Sequence, residues 1–271
     1  MRPAVLFLLI LMSLHSAEGV EKNGRGVRPL ALACAFVAST DDPWMPWYNP
    51  AGIATASLLK SSVCFVPEPF GMKELRTVSV AVVLPTPIVN VGIVLDDYGS
   101  DLLRESTAVV GLGRSIEKTL DLGLAVNIGI LSIQRYGTAT TVTVDLGVRL
   151  ELGEGISLGY CWKNFGGATI AGVGESLPQT QTLGMRYAPH RLARVTVDLE
   201  KDARYPFVAR AGVELHVLDQ LDLRLGVSNF PATLALGFGA RMSGWECSYA
   251  MSTHPQLGLT HAVGVSFDIR R

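Results

Sequence analysis

A period of two recurs from about residue 57 to the C-terminus, and it restricts the fold more than any other feature. In 140–152, TTVTVDLGVRLEL, Val142, Val144, Leu146, Val148 and Leu150 share one face, while Thr141, Thr143, Asp145, Gly147, Arg149 and Glu151 share the other. Side chains alternate across a strand, so this pattern spells a strand with one apolar and one polar side. The same reading holds in 119–131, 155–164, 192–201, 207–217, 220–229 and the closing GLTHAVGVSFDIRR. Weaker copies lie near 57–66, 75–84, 87–97, 106–117, 178–188, 231–241 and 244–253. Together they make about fourteen segments of roughly ten residues, the length of a tilted membrane-spanning strand. Turn-like separators such as PTP at 85–87, GEG at 153–155 and LDQ at 218–220 divide them, and no helix-period stretch interrupts the series.

Alternation alone does not say which face meets water. A soluble β-protein of the periplasm points its apolar faces inward, whereas a membrane barrel points them at lipid. Several features favour the second. Hydrophobic residues make up 48% of the 271-residue chain, charged residues only 17%, and mean hydropathy is +0.32. Lysine is rare, and the polar faces are rich in glycine, which leaves room on a crowded inner wall. Apolar faces end in aromatics, as at Tyr160, Trp162, Tyr187, Trp245 and Tyr249, where an interfacial girdle would sit. The opening MRPAVLFLLILMSLHSAEG reads as a secretory signal peptide, residues 1–19. No long apolar helix follows it, so a membrane location requires a closed barrel. A formal charge of −1 without a basic run excludes nucleic acid as a partner.

No catalytic or metal constellation is expected, and no cofactor. His190 and His254 sit beside prolines, His216 lies near a strand end, and His261 falls on an apolar face; the set reads as scattered girdle and loop histidines. Ser248 and Ser266 share an inner face from which His261 points away, so no nucleophile–base pair forms. The scattered Cys34, Cys64, Cys161 and Cys247 suit neither a zinc site nor a disulfide scaffold. Gly111-Leu112-Gly113 reads as a strand glycine pair and Gly172-Val173-Gly174 as a loop. The inward charges Asp145, Arg149, Arg186, Asp198, Arg210, Glu214, Asp222 and Arg224 carry both signs and read as an ion-pair lattice filling a lumen.

The segment 40–57, TDDPWMPWYNPAGIATAS, stands apart. Asn49 suits a helix N-cap and Pro50 the first helical position, where no amide donor is needed. Pro43 and Pro46 are expected to hold the preceding link extended, and Gly52 to let the backbone lie against a wall. Ala33-Cys34-Ala35-Phe36-Val37-Ala38, then Asp41-Asp42, then Trp47-Tyr48-Asn49-Pro50-Ala51-Gly52-Ile53 resembles the N-terminal signature of the PorV/PorQ-like and FadL-like outer-membrane families. The resemblance implies an all-β transmembrane barrel of about fourteen strands (57–271) in the outer membrane of a Gram-negative-type bacterium. It also implies a short helical plug or hatch (20–56) tucked into the lumen. Two roles divide such families. FadL-like members pass hydrophobic small molecules across the membrane, and PorV-like members partner secretion-system proteins. The expected partners are therefore outer-membrane lipid and either a hydrophobic ligand or secretion proteins.

Overall fold

The computed structural model describes residues 24–169, 176–202 and 206–269; the expected signal peptide and the 172–174 loop lie outside them. The alternating segments form a closed antiparallel barrel of fourteen strands. They are β1 Leu59–Val66, β2 Thr77–Leu84, β3 Asn90–Gly99, β4 Leu103–Ile116, β5 Leu120–Ile133, β6 Gly137–Gly153, β7 Ile156–Lys163, β8 Thr180–His190, β9 Ala193–Asp202, β10 Val208–Leu218, β11 Leu221–Asn229, β12 Ala232–Met242, β13 Trp245–His254 and β14 Gly258–Ile269. Each strand pairs with its sequence neighbours, and β1 closes on β14 with Ser62 opposite Ser266. Closure leaves no unpaired edge.

The faces are inverted relative to a soluble β-protein. Val142 is 55% exposed on the outside of β6, while Asp145 is 5% exposed and Asp222 fully buried on the inside. Outward Val142 and Leu152, both exposed, stand ten residue steps apart. That is roughly 33 Å along a strand, or about 25 Å of height at a barrel tilt near 40°, the height of a lipid-facing band. Tyr187 and Trp245 are exposed at its margin, and the exposed Tyr249 hydroxyl meets His261 Nδ1 at 2.7 Å. No helix among the described residues is long and apolar enough to cross a membrane.

The two ends differ. One carries connections of two to five residues, such as 154–155, 191–192 and 243–244; the other carries 67–76 and 164–179. Short turns belong to the periplasmic side of such barrels and longer loops to the outside. Asn164 organises the longest connection. Its amide donates to Asp145 Oδ1 at 2.8 Å and its Nδ2 to the Leu177 carbonyl at 3.1 Å, so Asp145 anchors a loop.

Residues 24–56 lie inside the barrel. They contain two short helices, α1 Val27–Ala31 and α2 Met45–Tyr48, and a single 3-10 turn, Pro50–Ile53. Helix α1 packs against β11 to β14, and the 3-10 turn against β3 to β6 on the far side. Asn49 caps that turn, its Oδ1 accepting from the Ala51 amide at 3.1 Å, with Pro50 in first place. The link before it is coiled rather than extended. Pro46 sits in the first turn of α2, where no intrahelical donor is required. Asp42 supports the entry to α2: its Oδ1 accepts from the Trp44 amide at 2.9 Å and its carbonyl from the Met45 amide at 3.2 Å.

Candidate functional site

The inner segment is seated on glycines of the wall. A Cβ at Gly123 would stand 2.1 Å from the Ala51 nitrogen and 2.3 Å from the Pro50 carbonyl carbon. At Gly147 it would meet Asn49 Oδ1 at 2.1 Å, at Gly226 the Leu32 carbonyl carbon at 2.2 Å, and at Gly159 the Val37 oxygen at 2.5 Å. Gly123 faces both Gly113 and Gly147 across the sheet, and Gly212 faces Gly226, so the bare positions form short rows on opposite sides of the lumen. Gly92 and Gly111 admit Pro46 in the same way. Gly52 does not make this approach. Its open side faces Met45 and the Ser39 carbonyl, inside the segment itself. Close approach is a property of the wall, because a strand offers a row of inward positions where an absent Cβ lets a second backbone lie flat.

Buried backbone groups of the segment find wall partners, as they must where water is excluded. Asp198 Oδ2 accepts from the amides of Phe36 and Val37 at 2.6 and 3.0 Å. Asn90 Nδ2 lies within 3.0 Å of the carbonyls of Ile53, Ala54 and Ala56. Asn49 Nδ2 donates to the Val37 carbonyl at 2.8 Å and to Val148 of the wall at 3.2 Å. Arg149 Nε donates to the Ala38 carbonyl at 3.3 Å, and Trp44 Nε1 to Ser62 Oγ at 3.1 Å. The Tyr48 hydroxyl donates to the Arg25 carbonyl at 2.9 Å.

The inward charges form lattices. Arg28 forks onto Glu214 at 2.9 and 2.7 Å and reaches Asp42 at 3.0 Å, joining segment to wall. Arg224 continues the chain to Glu214 and Glu246, each at 2.8 Å, and to Asp222 at 3.2 Å, with Arg241 also on Asp222. His216 belongs here, on the inner face against Asp222, and is neither a girdle nor a loop residue. A second group joins Arg149 to Asp121 at 2.7 Å and to Glu151; Arg210 pairs with Glu200 at 3.0 Å. Arg186 shares the inner face, opposite Ser157 and Thr196, and forms no ion pair among the described residues. Asp41 is exposed and meets Lys60 at 2.9 Å, and the Trp47 ring lies 5.1 Å from the Arg25 guanidinium.

Burial sets the titration of the segment. It pushes the Asp42 carboxyl up against the pull of Arg28, the Cys34 thiol up, and the Tyr48 phenol well up, reinforced by Cys34. For Arg28, burial acts to lower the pKa, but the Glu214 and Asp42 carboxylates outweigh it and hold the guanidinium well above its ordinary value.

Above the segment, toward the loop end, lies a cavity of about 140 Å³. Its floor is Arg25, Leu30, Ala33 and Cys34; its walls include Cys64, Val66, Ser79, Ser228 and Ser252; Phe70, Phe230, Pro231 and His254 lie at its loop-end mouth. Phe70 is held there by its amide on Thr260 Oγ1 at 3.1 Å and by its ring edge-on to His254 at 5.4 Å.

No family model and no curated protein matches the sequence. Solved structures do match the architecture. The toluene transporter TbuX of Ralstonia pickettii superposes with a TM-score of 0.69 over 91% of this chain and 99% of its own, at 13% identity. The toluene transporter TodX of Pseudomonas putida gives 0.67 over 90% and 98%, at 14% identity. A FadL homologue of Pseudomonas aeruginosa gives 0.62 over 90% and 98%, at 10% identity. The chain shares their fold.

Several residues of the seat escape a sequence reading. Arg28 finds Glu214 across 186 positions of chain, and Asn90 and Asp96, which pairs with Arg25 of the segment, lie in a strand whose alternation is weak. The signal that was available is the inward glycine row, since glycine at alternate strand positions has no packing value of its own. Most of its members, Gly129 and Gly239 excepted, lie where the inner segment touches the wall.

Proposed function

We propose that the protein is an outer-membrane channel for hydrophobic small molecules, taken up at the loop end and held above the seated segment. The observation that carries the proposal is the cavity. It opens toward the loop side of a lipid-facing barrel, is floored by the 24–56 segment, and at about 140 Å³ matches the size of an apolar cavity that holds one benzene ring. The fold shared with the toluene transporters supports the same reading. With it, Asp41-Asp42, Trp47-Tyr48 and Asn49-Pro50-Ala51-Gly52 act as the motif that shapes a FadL-like hatch. The secretion-partner role draws no support from those neighbours.

The test is uptake of ring-labelled toluene by cells whose outer leaflet is intact lipopolysaccharide, because plain phospholipid vesicles leak such solutes unaided. Ser252→Trp should fill the cavity without touching the glycine seat. Uptake is expected to rise on expression of the protein and to return to background in S252W, with heat-modifiable migration unchanged. Uptake that does not rise with expression would end the proposal.

A further inference from the structure

The cavity is not lined as a hydrocarbon site alone would be. Leu30, Val66, Phe70 and Phe230 give it an apolar body, yet six lining residues of the inner face carry hydroxyls: Thr77, Ser79, Ser228, Thr233, Ser252 and Thr260. Their existing bonds leave both capacities open. Thr260 Oγ1, on the inner face opposite Ser252, accepts from the Phe70 amide at 3.1 Å and keeps a proton to donate. Thr233 Oγ1 donates to the Pro231 carbonyl at 3.1 Å and keeps lone pairs that can accept. Two guanidiniums also line the space, but each has a carboxylate in the wall: Arg25 pairs with Asp96, and Arg210 with Glu200 at 3.0 Å. The cavity is therefore close to electroneutral, and a carboxylate ligand would find no surplus positive charge.

Resting on the channel reading above, we infer that the ligand class is a neutral molecule of about one aromatic ring bearing a hydroxyl group, as in benzyl alcohol, in preference to a bare hydrocarbon or an aromatic acid. Buried hydroxyls discriminate because a ligand that cannot satisfy them leaves polar groups stripped of water without a partner. One added hydrogen bond of ordinary strength is worth roughly a five- to tenfold difference in affinity.

The experiment is calorimetric titration of the full-length protein in detergent with three probes of equal ring size: benzyl alcohol, toluene and benzoate. Benzyl alcohol is expected to bind at least about fivefold more tightly than toluene, with benzoate weakest. The double variant Ser252→Ala and Thr260→Val, both on the inner face, should bring benzyl alcohol and toluene together while toluene affinity holds. Equal or tighter binding of toluene, tightest binding of benzoate, or no binding of any probe overturns the inference. Toluene uptake by cells, measured alongside, separates the two readings. Uptake with no preference for the alcohol leaves the channel standing and removes only the ligand class, whereas no uptake of either compound removes the channel.

Discussion

Gly123→Ala tests whether the wall glycines seat the inner segment. The new methyl would fall 2.1 Å from the Ala51 nitrogen, 2.3 Å from the Pro50 carbonyl carbon and 2.7 Å from Ala51 Cα. All three are backbone atoms, so no rotamer change can relieve the clash, and the segment must lift by more than an ångström. Overpacking of this kind costs about 1–3 kcal/mol, and contact with rigid main chain places it at about 2–3 kcal/mol. That is roughly a 30- to 150-fold loss in the ratio of seated to unseated segment. Gly129→Ala is the control. It lies further along the same strand, where a Cβ would stand 2.6 Å from Thr141 Oγ1, a side-chain atom that can turn away, and no part of the segment is within reach. In planar bilayers, G123A should show intermittent ion conductance and G129A none; in urea titrations from lipid vesicles, G123A should lose stability and G129A change little. Matching behaviour of the two variants would refute the seat.

Three further outcomes follow from the same geometry. Arg28→Met strips Asp42 of its arginine and leaves Glu214 only Arg224 and Arg194; it should cost about 3 kcal/mol in urea titration, the low end for a broken buried pair, because Glu214 keeps those partners and the arginine side chain keeps 18% exposure. Leu124→Arg, on the exposed outer face of β5, should cost about 2–4 kcal/mol when the barrel folds into vesicles; an unchanged folding free energy would contradict the lipid-facing assignment. Cys34, its thiol raised by burial, should alkylate more slowly than a free cysteine near pH 8.5 and be protected by a cavity ligand, as read by mass spectrometry. Because the folded value lies above the unfolded one, its contribution to stability is full below the ordinary thiol pKa and declines as pH rises past it.

The barrel was legible because its determinant is local. A two-residue period survives in every strong segment, and lipid on the outside demands that the same parity hold across the whole apolar band. Interior chemistry was legible by residue type and not by partner. Asp145, Arg149, Asp198, Arg210, Glu214, Asp222 and Arg224 all face inward, yet Asp198 holds two backbone amides and Asp145 anchors a loop, roles that no spacing announces. The 40–57 segment misleads in two ways, each with a physical cause. Pro46 is compatible with the first turn of a helix as well as with an extended link, and Asp42 tips the balance by accepting from Trp44. Gly52 is the one glycine of 40–57, and the space it opens is filled by Met45 and not by the wall. His216 read as scattered because its partner, Asp222, lies across a turn on the next strand.

Paired recordings on one preparation test the central claim most directly: toluene uptake by cells expressing the protein, and ion conductance of the same protein in planar bilayers. A barrel whose lumen is closed by a seated segment, with a ring-sized cavity on its loop side, predicts uptake above background together with no steady conductance in the unaltered chain. A steady ohmic conductance, or uptake no greater than in cells lacking the protein, would contradict it.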